Sequence, residues 1–163
     1  MSGFESFPIV GEAAFKTLKN SGLKGFSCDR REYATHISMS SVWLFLVDTR
    51  VLRVTSEMHE LKGWDEVGSI VVDIVPPTDN LPQMIELSLT WRVVASIEKL
   101  IVREDAYFEA ESGVRISNSA GEAIIICSAS SPCEVTMAAP FIHDKFQPEY
   151  DIGKYESVAV HRK

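Results

Sequence analysis

The segment Glu111-Ser112-Gly113-Val114-Arg115-Ile116-Ser117-Asn118-Ser119-Ala120-Gly121-Glu122-Ala123-Ile124-Ile125-Ile126-Cys127 decides the fold class. Two β-rich runs flank the polar break Asn118 to Gly121, where a glycine can take the positive φ that a tight turn needs, so the pair folds back antiparallel. Just upstream, Ile85, Leu87, Leu89, Trp91, Val93, Ala95 and Ile97 hold every odd position, with Glu86, Ser88, Thr90 and Arg92 between them. That period of two belongs to a strand with one buried face. Met84 to Met137 therefore predicts a sheet as the core of the protein.

Further out, Val42-Trp43-Leu44-Phe45-Leu46-Val47 is a continuous run of apolar, β-branched and aromatic residues, the composition of a central strand buried on both faces. Asp48-Thr49-Arg50 then turns the chain into a second strand, Val51 to Thr55. Lys62 to Gly68 reads as a loop with Trp64 in its middle, and Ser69 to Val75 as another strand. Pro76-Pro77-Thr78-Asp79-Asn80-Leu81-Pro82 is the strongest break, because proline has no amide hydrogen to donate. Met84 to Arg103 is too long for one strand, and Ile97 to Leu100 is the expected site of a reversal or a bulge. Glu134 to Met137 is the expected last strand.

Toward the N-terminus, Val10, Ala14 and Leu18 recur at i, i+4 and i+8 beside Phe15, and Asn20-Ser21-Gly22 supplies a stop. This predicts an amphipathic helix of about three turns. Gly22 to Tyr33 reads as turn-rich. The fold class is thus α+β: a largely antiparallel sheet with a short N-terminal helix covering one face. The chain divides into a lead-in and helix at 1–22, a sheet core at 36–137 and a wrapping segment at 138–163, all within one domain.

At 163 residues the chain buries about 70% of its unfolded surface without needing staples. Met1 to Pro8 lacks the basic-then-apolar pattern of a secretory signal, and no apolar run approaches the roughly 20 residues that span a bilayer. The expected compartment is the cytoplasm, where Cys28, Cys127 and Cys133 stay reduced; in an oxidising compartment Cys127 and Cys133 could instead close a small loop around Ser128 to Pro132. The net charge of −7 is uneven. Residues 1–63 carry eight Lys/Arg against seven Asp/Glu, a net of +1, and residues 64–163 carry eight against sixteen, a net of −8. Such an acidic excess repels nucleic acid and anionic membrane and speeds encounter with a basic protein.

No chemistry announces itself. Neither Gly-x-Gly-x-x-Gly nor Gly-x-x-x-x-Gly-Lys-Ser/Thr occurs, and Gly-x-Ser-x-Gly is also absent. His59-Glu60 is not followed by the second histidine of a zinc protease helix, and the cysteines lack a Cys-x-x-Cys pair. His36, His143 and His161 stand apart from one another in sequence. Adjacent carboxylates such as Asp65 and Glu66 point to opposite faces of a strand, which does not suit an acid and base pair. No catalytic residue, metal site or cofactor is expected.

Glu111 to Ile116, the turn at Gly121, Ala123 to Cys127, Ser131-Pro132, and Phe146-Gln147-Pro148-Glu149-Tyr150 ahead of Tyr155 resemble the small bacterial immunity proteins of contact-dependent growth inhibition and related polymorphic toxin systems. The resemblance covers about the last third of the chain, and its motifs are structural. It implies a cytoplasmic protein without catalytic activity that binds one cognate toxin domain. With the acidic surface, the expected partner is a basic, nuclease-like toxin domain. The expected contact residues are Trp64, Asp65, Glu66, Asp144, Glu149, Tyr150, Asp151, Tyr155 and Glu156, where aromatics supply contact area and carboxylates meet Lys or Arg. The alternative is a β-rich module that binds a small ligand in a pocket of the sheet.

Overall fold

The structure is a computed structural model that describes residues 4–32, 37–61, 65–76, 80–104, 107–142 and 146–160, leaving aside the side chains of 30–32 and 37–38. Among the described residues, eleven strands form one curled sheet. They are β1 (Glu5–Phe7), β2 (Leu23–Glu32), β3 (Ile37–Leu46), β4 (Val51–Glu60), β5 (Glu66–Ile74), β6 (Ile85–Glu86), β7 (Val94–Glu104), β8 (Phe108–Asn118), β9 (Ala123–Ser128), β10 (Val135–Ala138) and β11 (Glu156–Ala159), accompanied by the helix α1 (Ala14–Ser21). The main path runs β11-β7-β8-β9-β10-β3-β2-β6. Pairings between these strands are antiparallel except that of β1 with β8.

Two long strands act as forks. One side of β3 carries β2, while the other carries β10 at Met39 and β4 from Val42 to Phe45. In the same way β8 carries β7 on one side, and on the other β1 at Phe108 to Ala110 and β9 from Gly113 to Ser117. A parallel bridge from Val10 to Val71 then joins the N-terminal segment to β5. The circuit β3-β4-β5-N-terminal segment-β8-β9-β10 closes on itself, which leaves few sheet edges exposed.

The hairpin forms where its sequence places it. Gly121 sits at φ +85°, and the Asn118 side-chain oxygen accepts from the amides of Ala120 and Glu122, both at 3.0 Å. Val42, Leu44 and Leu46 are fully buried on β3, as a central strand requires. A register shift falls between Leu100 and Ile101 on β7, opposite Ser112, beside the stretch expected to carry a bulge.

Four local expectations are corrected. The helix starts at Ala14 rather than Val10, because Val10 exchanges backbone hydrogen bonds with Ile70 and Val72 of β5 and Gly11 then turns the chain at φ +83°. Of the stretch from Gly22 to Tyr33 read as turns, Leu23–Glu32 is strand: pairing with β3 on one side and β6 on the other overrides a composition of Gly, Ser and charge, and Tyr33 lies outside the described residues. The alternation from Ile85 to Ile97 is not one strand. It breaks after Glu86 into a 3-10 turn, Leu89–Arg92, that drives Trp91 into the core and leaves Leu89 and Val93 exposed. The C-terminal segment adds the strand β11 after the one expected to be last.

The main core fills the space between the two forks. Phe15 and Leu18 of α1, which packs on β7 and β5, meet Leu44 and Leu46 of β3, Val54, Ile70, Trp91, Ile116 and Ile126. Phe141 of the C-terminal segment closes it, with its ring centroid 4.8 Å from that of Phe26 and 6.3 Å from that of Trp91. A smaller cluster of Leu61, Val67, Val102, Phe108 and Ala110 lies at one end, covered by the half-buried Phe7, Tyr107, Tyr150 and Tyr155. Phe141 of the C-terminal segment thus packs on the main core, and Tyr150 and Tyr155 on the smaller cluster.

Candidate partner-binding face

Separate elements meet at the end of the molecule that holds the smaller cluster. The β4-β5 hairpin closes there, with Glu60 opposite Glu66 and the Leu61 amide donating to the Asp65 carbonyl at 2.7 Å. The β7-β8 hairpin closes beside it, with Glu104 opposite Phe108 and the Tyr107 amide donating to the Glu104 carbonyl at 2.7 Å. The first strand arrives at the same place, the Glu5 amide donating to the Tyr107 carbonyl at 3.1 Å. Finally the C-terminal segment lays Tyr150 and Tyr155 across the cluster, ring centroids 6.5 Å apart and nearly perpendicular.

The electrostatics agree with the convergence. Partial burial raises the Tyr150 phenol to about 12, with help from the carboxylates of Glu149, Glu104 and Asp65. Tyr107 is raised as well, by desolvation and by Asp65 and Glu5. Tyr155 is raised by burial first and by Cys127, against the Tyr150 amide, which donates to its hydroxyl at 3.2 Å and lowers it. The Cys127 thiol beneath is itself pushed up to about 12 by burial. Among the described residues, five carboxylates therefore gather at one small aromatic surface: Glu5, Asp65, Glu66, Glu104 and Glu149. Among the described basic residues, Lys154 stands over the Tyr150 ring at 5.9 Å. Arg103 is engaged by Glu109 at 2.8 Å and Glu156 at 2.5 Å.

Of the residues singled out from sequence, Asp65, Glu66, Glu149, Tyr150 and Tyr155 are brought together. Asp151 is exposed next to them and its carbonyl accepts from the Lys154 amide at 2.8 Å. Glu156 is turned toward Arg103 on β7. Trp64 and Asp144 lie outside the described residues, as do His36, His143 and His161. Glu149 also supports the fold. Its carboxylate accepts from the Gly68 amide at 2.9 Å, while burial and the nearby Glu66 raise its pKa against that hydrogen bond. Sequence reasoning missed Tyr107, Glu104 and Glu5. The acidic run around Tyr107 was a usable signal for the first two, and nothing local marks Glu5.

A serine-histidine contact also exists, His59 Nε2 lying 2.8 Å from Ser69 Oγ. Ser69 is fully buried and the His59 ring is stacked on Phe7 at 4.1 Å, so no substrate carbonyl reaches that hydroxyl. Among the described residues no group of three or more His, Cys, Asp and Glu could hold a metal ion. No described helix is long and apolar enough to cross a membrane. No protein-family model matches this chain, and no curated protein or solved structure matches it either.

Proposed function

We propose that this protein is a binding module without catalytic activity, of the immunity type, which neutralises a cognate toxin domain by covering it. The partner is basic, and it meets the end of the molecule where Asp65, Glu66, Tyr150, Asp151, Tyr155 and Glu156 lie. One observation carries the reading: among the described residues, carboxylates from four separate parts of the chain lie near half-buried tyrosines and outnumber the basic groups beside them, Lys154 and Arg103. Tyrosine offers rigid contact area at low entropic cost, and a concentration of like charge steers an oppositely charged partner. Holding that charge together costs stability, which a partner's Lys and Arg would offset on binding.

The test is retention of a partner by the full chain from lysate and secreted fractions of the source cells. One stoichiometric basic protein is expected at moderate salt, whose toxicity falls when this chain is co-expressed. Asp65→Lys with Glu66→Lys lowers that retention by about tenfold or more while leaving thermal stability within about 0.5 kcal/mol of wild type. Unchanged retention by the double variant removes the face from consideration.

A further inference from the structure

Among the described residues, the outer edge of β5 has no strand of regular length beside it, yet its polar groups are met one at a time. The Gly68 amide donates to the Glu149 carboxylate at 2.9 Å, and the Gly68 carbonyl accepts from the Ser112 hydroxyl at 2.5 Å. The Ile70 carbonyl accepts from the Val10 amide at 3.0 Å, and the Val72 amide donates to the Val10 carbonyl at 2.9 Å. A bare edge of this length is a template for another strand, and here the chain's own first residues cover part of it.

That cover is lightly built. Residues 5–7 pair in parallel with β8, and the chain then crosses to β5 at Val10. Glu5, Ser6, Pro8, Val10 and Gly11 are exposed, Phe7 is half-buried, and Ile9 alone enters the main core. The hold is largely polar. Glu111, itself nearly buried, accepts from the Ile9 amide at 2.8 Å and pairs with Lys99 at 2.9 Å, and Lys99 also reaches Glu12 at 3.2 Å. Gly11 completes it: φ is +83°, and a Cβ there would stand 2.1 Å from the Val72 carbonyl oxygen.

We propose that residues 4–12 are a releasable occupant of a strand-acceptor slot between β8, which pairs with residues 5–7, and β5, which is bridged at Val10. The ligand that slot takes is an extended peptide with apolar side chains at the alternate positions now held by Phe7 and Ile9. Edge backbone groups supply affinity in such pairing, and side-chain seats at every second residue supply selectivity. Both seats are visible: Phe7 stacks on the His59 ring over the smaller cluster, and Ile9 inserts between the forks. An exposed element with so few apolar contacts opens without unfolding the sheet. While closed, it competes with any incoming peptide at the high effective concentration of a tethered segment.

The test uses the full chain. In wild type, the amides of Glu5, Val10 and Val72 exchange with deuterium as a group, at least about tenfold faster than those of β9. Gly11→Ala speeds that group by about another tenfold and leaves β9 unchanged. A labelled synthetic peptide with the sequence of residues 4–13 binds Gly11→Ala at least about tenfold more tightly than wild type, and loses that binding when its Phe7 and Ile9 equivalents are serine. If Gly11→Ala does not fold, Glu12→Ala, which removes only one arm of the Lys99 contact, gives the same pattern more weakly. Exchange of Val10 and Val72 at the β9 rate in wild type and variants overturns the proposal. So does a peptide that binds wild type and variant alike, binds neither, or binds equally well with serine at both positions.

Discussion

The main core and the tyrosine-bearing end are made of similar residue types put to opposite use. In the core, Trp91, Phe15 and Leu18 are sealed between the forks with exposures of 2%, 0% and 0%. At the end, Tyr107, Tyr150 and Tyr155 lie half-exposed on a small cluster and carboxylates surround them. Burying an aromatic completely yields a few kcal/mol, whereas one left half wet and ringed by like charges stabilises the fold far less. The difference is one of burial: the forks seal their aromatics away from water, and the end leaves its tyrosines half in solvent.

The largest expected effect is in the core. Trp91→Ala costs about 3–5 kcal/mol in denaturant unfolding, and Tyr150→Ala about 1 kcal/mol. Equal losses would erase the distinction. Next is the buried carboxylate that ties the N-terminal segment down. Glu111→Ala leaves Lys99 without one partner and the Ile9 amide without its acceptor, a cost of about 2–4 kcal/mol. A loss below about 0.5 kcal/mol would mean that the segment contributes nothing to the fold.

Glu149 lies on the border between the two regions and sharpens the comparison. Glu149→Ala removes the acceptor for the Gly68 amide and costs about 1–2 kcal/mol, while Glu149→Gln keeps it and costs less. Because the folded carboxyl has a raised pKa, the native state binds its proton more tightly than the unfolded chain does. Stability therefore falls as pH rises through the interval between the unfolded and the folded value, and the glutamine variant lacks that decline. Thermal midpoints of the two proteins across the acid range measure it.

The smallest effect is alkaline. Tyr150 is raised to about 12, so the folded state again holds its proton longer, and stability declines as pH rises from about 10. Tyr150→Phe makes that limb shallower, with Tyr107 and Tyr155 still contributing to it, and is nearly neutral at pH 7. An unchanged alkaline slope would locate the titrating group elsewhere.

Turn chemistry and a continuous apolar, β-branched run made the sheet legible, because both act over a few residues: the Asn118 to Gly121 turn forms where it is expected, and of the Val42 to Val47 run all but Val47 lies in β3. What the sequence hid was decided at long range. Leu23 to Glu32 has the composition of turns, and neighbours on both sides made it a strand. Leu87, Leu89, Trp91 and Val93 continue an alternation that the 3-10 turn Leu89–Arg92 interrupts, so that Trp91 is buried while Leu89 and Val93 are exposed. The tyrosine-bearing end was half legible. An acidic, aromatic C-terminal segment and the residues at Asp65 were visible, but the meeting of Glu5, Asp65, Glu104 and Glu149 needs four strands to be paired first.

The contact between Ile9 and Glu111 spans 102 positions of sequence. During synthesis β1 leaves the ribosome long before β8 exists, so it waits unpaired while the residues between them are made. Its placement follows closure of a very long loop, a step that slows folding and exposes an unpaired segment meanwhile. The exposed Glu5 and Ser6, and the Pro8 that cannot donate to a ladder, keep that waiting segment a poor template for aggregation. Residues 5–9 are thus made well before the strand they pair with.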